Sequence, residues 1–235
     1  MKIDILAFGA HPDDVEIGIG GLLIAEALKG RTTGIVDLTR GEMGTRGTPE
    51  IRSLEADEAA RIMGLSLRLN LGFADGKFEN NHETRLRVIE VLRMYRPDVV
   101  IAGAPTDRHP DHGRASQLVL EACFLSGLRK IQLPEQTDPW RPTVMYQYMQ
   151  FYQFKPDLIY DISEVFEKKL LAIKAHKSQF FDPDSTEPET LIASKHYFDN
   201  LHSRASEYGI QAGFAYGEPL RCVRPAGVKD IKALY

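Results

Sequence analysis

Ile3-Asp4-Ile5-Leu6-Ala7-Phe8-Gly9-Ala10-His11-Pro12-Asp13-Asp14 is an apolar run that stops abruptly in a polar turn. Apolar residues at nearly every position of 3–10 suit a strand buried on both faces, as in a parallel sheet. Residues 15–29 then carry Ile17, Leu22, Leu23, Ala25, Ala27 and Leu28 and stop at Gly30, which predicts a helix. The same alternation continues outward. A β-branched strand is expected over 32–39, a helix over 50–63 ending at Gly64, and a strand over 65–71. A helix over 82–95 is stopped by Pro97, and Asp98-Val99-Val100-Ile101-Ala102-Gly103-Ala104 leads into a helix over 111–127. Further on, 144–150 and 158–161 read as short strands. Helices are expected over 163–177, capped by Ser163, and over 189–208, with a Pro/Asp/Ser-rich loop at 180–188 between them. Strands alternating with helices of this length indicate βαβ crossovers. The expected fold is α/β, a Rossmann-like doubly wound, mainly parallel sheet with an elaborated C-terminal third. No repeat or linker divides it, so residues 1–235 read as a single domain.

Composition narrows the function. Twenty-nine Lys and Arg against 33 Asp and Glu leave a net charge of −4, without the basic excess of a nucleic-acid binder. No stretch approaches the ~20 apolar residues of a membrane span, and the first apolar run breaks too early for a signal peptide. A cytoplasmic protein is expected, with Cys123 and Cys222 as reduced thiols and Cys123 as a small core residue.

Two loops concentrate the chemistry. Ala10–Asp14 follows the first strand, and Asp107-Arg108-His109-Pro110-Asp111-His112 follows the fourth. Ligands of open α/β sheets bind at such carboxyl ends, and a Rossmann-like order makes these two strands neighbours. Together the loops hold three of the chain's seven His and four Asp. Imidazole and carboxylate hold Zn²⁺, and a catalytic zinc takes three protein ligands with one position open. One His-Pro-Asp turn is ordinarily a loop whose Asp caps the next helix. Two copies, each with an extra Asp or His, exceed what capping needs, and they offer more candidates than ligand positions. Dinucleotide binding is disfavoured: Gly18-Ile19-Gly20-Gly21 lacks the third glycine, since position 23 is Leu23, and these glycines lie inside a helix. A close approach of helix to sheet accounts for them.

The paired loops resemble the LmbE/PIG-L family of zinc-dependent N-deacetylases. The resemblance extends to 37–52, to Arg61-Ile62-Met63-Gly64, to Asp161-Ile162-Ser163 and to Lys177-Ser178-Gln179-Phe180. Within the family it points to the bacillithiol-pathway branch, which deacetylates N-acetylglucosaminyl-malate. The resemblance implies His11, Asp14 and His112 as zinc ligands, with Fe²⁺ or another divalent metal suiting the same set. It implies Asp13 as general base, His109 as second catalytic histidine, Asp111 as a carboxylate that orients a histidine, and Tyr197 as a further catalytic group. Arg52 and Arg108 are the cations nearest the metal loops in sequence and suit a malate carboxylate or sugar hydroxyls. The expected partner is a small N-acetyl sugar conjugate, without nucleic acid or membrane, and the resemblance implies a homo-oligomer. Hydrolysis of another N-acetylglucosamine glycoside or of a conjugate amide would use the same residues. A non-catalytic zinc or sugar-binding module would have no use for Asp13. The aromatic segment 144–154 suits either an interface strand or the core.

Overall fold

A computed structural model describes residues 1–134, 137–228 and 230. Five parallel strands come first: β1 (Ile5–Gly9), β2 (Thr33–Thr39), β3 (Leu67–Phe73), β4 (Val99–Gly103) and β5 (Val144–Tyr148). The short β6 (Leu158–Asp161) and β7 (Gly217–Cys222) complete one sheet of order β3-β2-β1-β4-β5-β7-β6, in which β7 runs antiparallel to both neighbours. The helices are α1 (Asp14–Leu28), α2 (Pro49–Met63), α3 (His82–Tyr95), α4 (Pro110–Ser126), α5 (Phe166–Ala175) and α6 (Lys195–Ala212). This is the expected doubly wound arrangement. None of these helices is long and apolar enough to cross a membrane.

Strand alternation sorts the core into two layers. Leu6 and Phe8 face Val88, Leu92 and Leu118 of α3 and α4, while Ile5 and Ala7 face Leu23 of α1, Met63 of α2 and Ala205 of α6. Cys123 is buried in the first layer, and neither cysteine is bridged. Segment 144–154 resolves into core and surface: β5 lies inside the sheet, and only its following loop is exposed.

Gly18 explains how α1 lies so close to the sheet. A Cβ there would stand 2.2 Å from the Tyr148 ring. One residue on, Ile19 leaves helical geometry (φ −142°, ψ 24°) and α1 kinks. The N–H groups of Gly21 and Leu22 are taken by the two carboxylate oxygens of Glu218, at 2.9 and 2.7 Å. Lys169 of α5 balances that buried charge at 2.6 Å. The last strand thus caps the second half of the first helix.

Three local expectations are corrected. Ser163 does not cap a helix: its N–H and hydroxyl both donate to Asp161, and α5 starts at Phe166. The final helix starts at Lys195, six residues after the expected 189, because the Ser194 hydroxyl accepts the Tyr197 N–H as its N-cap. Strand β7 was not expected, since Gly217 and Pro219 are poor strand formers.

Candidate active site

β1 and β4 pair in parallel, from Ile5 opposite Val99 to Ala7 opposite Ile101, so their following loops meet across one crevice. His11, Asp13, Asp14, Arg52, Arg108, His109, His112 and Tyr197 all line a single cavity there, and Asp111 is buried behind it. The capping explanation fails for both aspartates. Asp13, not Asp14, precedes α1 and makes no side-chain cap. Before α4 the cap is His109, whose Nδ1 accepts the Asp111 N–H at 3.2 Å.

Asp14 stands between two imidazoles. Its Oδ1 is 3.3 Å from His112 Nε2, and its Oδ2 is 3.5 Å from His11 Nδ1. Donor atoms bonded to zinc at about 2.0–2.1 Å with tetrahedral angles stand roughly 3.3 Å apart. The two separations from Asp14 are close to that spacing, and the ring nitrogens of His11, His109 and His112 lie within 4.8 Å of one another, a donor chemistry that suits such an ion. Behind it, each histidine gives its other nitrogen to a carboxylate: His11 Nε2 to Asp75 and His112 Nδ1 to Asp107, both at 2.9 Å. That pairing fixes the tautomer and leaves Nδ1 of His11 and Nε2 of His112 free to ligate. His109 also brings a ring nitrogen within reach of both other histidines. A second grouping, His11 with Asp75 and Asp111, fits less well. Asp75 already accepts the Met43 N–H, and Asp111 the Gly76 N–H and the Arg114 guanidinium.

The field at the cluster favours a cation. Burial opposes charge on His112, yet Asp14 and Asp107 prevail and raise it to about 9. His11 is raised well above its usual range, burial being outweighed by Asp111, Asp14 and Asp75. Asp14 is held well below the carboxylate range, because the His112 charge and the His11 bond overcome its burial. Asp13 behaves otherwise. Burial, only partly offset by Arg52, lifts it to about 6, in the range that suits a base at neutral pH. Burial and the two neighbouring histidines push His109 down. Tyr197, buried on α6, is lifted to about 12, chiefly by burial.

The arginines part company. Arg52 is buried and donates to the carbonyls of Gly41 and Pro12, both at 2.9 Å, and to Asp13 at 3.4 Å. It holds the loop and Asp13 instead of reaching out to a carboxylate. Arg108 is exposed and stacks over Phe151.

Four residues at the site had no role assigned from sequence. Asp75 follows β3 in Ala74-Asp75-Gly76, which reads as a plain turn, although the carboxyl end of a third strand was a usable signal. Asp107 sits inside the quoted loop. Gln179 lines the cavity and donates to the Arg46 carbonyl at 2.8 Å, and Gln150 lines it from the end of β5.

Comparison with known proteins bears on these features. The PIG-L family, described as GlcNAc-PI de-N-acetylase, matches residues 6–123. The diacetylchitobiose deacetylase of Thermococcus kodakarensis is 31% identical over 229 residues, covering 93% of this chain and 82% of its own length. The probable N-acetyl-alpha-D-glucosaminyl L-malate deacetylase 2 of Bacillus cereus is 28% identical over 193 residues, covering 76% and 84%. Among solved structures, the conserved protein TT1542 from Thermus thermophilus gives a TM-score of 0.87 at 38% identity, covering 97% of this chain and 98% of that one. The expected nearness to the malate branch is corrected: the diacetylchitobiose enzyme shares more identity over more of the chain.

Proposed function

The chain belongs to the PIG-L/LmbE family, and from that premise we propose that it is a metal-dependent amide hydrolase that removes the N-acetyl group of an N-acetylglucosamine glycoside. One deacetylase domain spanning 1–235 carries the activity, with zinc held by His11, Asp14 and His112. The observation that carries this reading is the Asp14 carboxylate set 3.3 and 3.5 Å from two carboxylate-backed imidazoles, with Asp13 beside the set and outside it. Held by those residues, zinc would supply Lewis-acid polarisation of the amide carbonyl and a lowered pKa for the attacking water.

The chain's own residues do the rest. Asp13, lifted by burial, takes the proton of the attacking water and delivers it to the departing amine. Because His109 Nδ1 accepts a backbone N–H, its proton sits on Nε2, and a neutral His109 donates to the developing oxyanion. The Tyr197 hydroxyl, kept protonated by burial, is a second donor at the same cavity. Asp111 lies 3.7 Å from His11 and holds the Gly76 N–H, which supports the orientation of that imidazole.

An aglycone bearing carboxylates, such as malate, is a second reading. It is favoured by Arg108, an exposed guanidinium at the cavity for which no hydrogen bond or ion pair is seen among the described residues. Acetate release from N-acetylglucosamine glycosides, measured with and without a chelator and after zinc is restored, tests the function. Chelator-resistant release, or none, would sink it.

A further inference from the structure

Gln150 lines the cavity two residues past the end of β5, and only 5% of it is exposed. Its carboxamide nitrogen lies 3.4 Å from Nε2 of His112. Its carboxamide oxygen packs on β4: a Cβ at Gly103 would stand 2.7 Å from Oε1, so glycine alone leaves that half of the group room.

The backbone under this side chain is held on both sides of one peptide bond. The Gln150 carbonyl accepts from Arg204 of α6, which also reaches the Ile17 carbonyl on α1 at 3.2 Å. Across the same peptide bond, the Phe151 N–H donates to Asp107 at 2.7 Å. Asp107 holds Nδ1 of His112 at 2.9 Å through its other oxygen. Gln150 and His112 are thus tied to one carboxylate, and the carboxamide is set in place before a ligand arrives.

Among the described residues, His112 Nε2 is the one acceptor within reach of the Gln150 amide. Under the deacetylase reading, on which this inference rests, His112 ligates through that same nitrogen, and its lone pair is no longer there to accept. An N–H this deeply buried is costly without a partner, so its acceptor must come from what the cavity takes in. A donor aimed at the attacking water would weaken that nucleophile. Aimed at the acyl oxygen, which gains negative charge as the amide is attacked, it strengthens as the reaction proceeds. We propose that the Gln150 carboxamide is a further catalytic residue, donating to the acyl oxygen of the substrate and, after cleavage, to an oxygen of the acetate product.

Gln150→Met keeps the length and removes the donor, and Gln150→Glu keeps the shape and presents an acceptor. Both should retain stoichiometric zinc by elemental analysis. Calorimetric titration of zinc-loaded Gln150→Met with acetate should show affinity weakened at least about tenfold, the scale of one hydrogen bond to a charged group. Its kcat on N-acetylglucosamine glycosides should fall at least about tenfold with KM little changed. Gln150→Glu should lose more acetate affinity than Gln150→Met, because two carboxylates repel. Parent-like acetate affinity in Gln150→Met, or a loss confined to KM, overturns the assignment and leaves the deacetylase reading standing. Loss of zinc in Gln150→Met does the same, since Gln150 would then support the histidine and not the acyl oxygen. Absence of acetate release by the parent overturns the deacetylase reading, and the assignment with it.

Discussion

Arg52 and Asp13 form an ion pair buried in the wall of the cavity, with Nη2 3.4 Å from Oδ2 and side chains 5% and 6% exposed. Asp13 needs such support, because its backbone sits at φ 125°, where a residue with a side chain is strained. The same guanidinium ties down the carbonyls of Pro12 and Gly41, so one residue of α2 clamps the loops after β1 and β2. A Cβ at Gly41 would stand 1.9 Å from Nη1, so only glycine admits this clamp. Arg52→Lys keeps the charge but loses the fork that bridges three acceptors. Its kcat should fall at least about tenfold with metal content unchanged. Arg52→Ala, which strands a buried carboxylate, should cost roughly 3–5 kcal/mol in urea unfolding. Wild-type turnover in Arg52→Lys would show that the clamp does not serve Asp13.

Asp13→Asn separates base from ligand. It should retain stoichiometric zinc and lose at least ~10²-fold in kcat, the usual scale of general acid–base catalysis. Loss of metal together with rate would make Asp13 a ligand.

Two tiers of metal binding are expected. His11→Ala, Asp14→Ala and His112→Ala should each abolish stoichiometric zinc, by elemental analysis, while the far-ultraviolet spectrum is kept. Asp75→Asn and Asp107→Asn should keep zinc but weaken it about 10–100-fold in competition with a chromogenic chelator. Equal affinity in both amides would remove the carboxylates from the histidines' support.

Glu218 is the structural counterpart of this set. Its carboxylate serves the Gly21 and Leu22 N–H groups and Lys169, all buried. Glu218→Ala leaves an ammonium and two amides without partners and should destabilise by about 3–5 kcal/mol. Lys169→Met in the Glu218→Gln background should recover part of that loss, since no buried charge then remains. An unfolding midpoint unmoved by Glu218→Ala would contradict the cap.

Acid stability should report on Glu16, buried among Arg68 and His176. Burial raises its pKa, but the Arg68 charge and the His176 contacts outweigh this and hold it well below the usual value. A carboxylate depressed in the folded state contributes stability above its unfolded pKa of about 4.3 and loses that contribution as the pH falls. Asp37, on the other side of Arg68, is raised by burial and works in the opposite sense. Unfolding free energy measured from pH 7 to 3 should therefore fall less steeply in Glu16→Gln than in the parent. Parallel curves would contradict the depressed value.

Local chemistry was a good guide wherever a single segment holds all the information. Gly64 ends α2 in the left-handed region (φ 75°), and α3 occupies the expected 82–95 behind an Asn81 capping box. It misled where a residue had a closer alternative partner. Ser163 turned back to Asp161, and β7 forms despite Pro219 because its neighbours supply the pairing. The kink at Ile19 was illegible because the group that satisfies it, Glu218, lies nearly two hundred residues away.

By itself the sequence determined the alternation of strands and helices, the two acidic histidine loops at strand ends, and the family, because periodicity, turn chemistry and motif spacing are properties of contiguous residues. Only the tertiary structure decided which carboxylate backs which imidazole, that Arg52 holds Asp13 instead of facing a ligand, and that Asp107 joins His112 to the backbone of Phe151 and Tyr152. Those pairings arise when parallel strands bring their carboxyl ends side by side. Each buried polar group then bonds to the nearest available partner in space, whatever its distance along the chain.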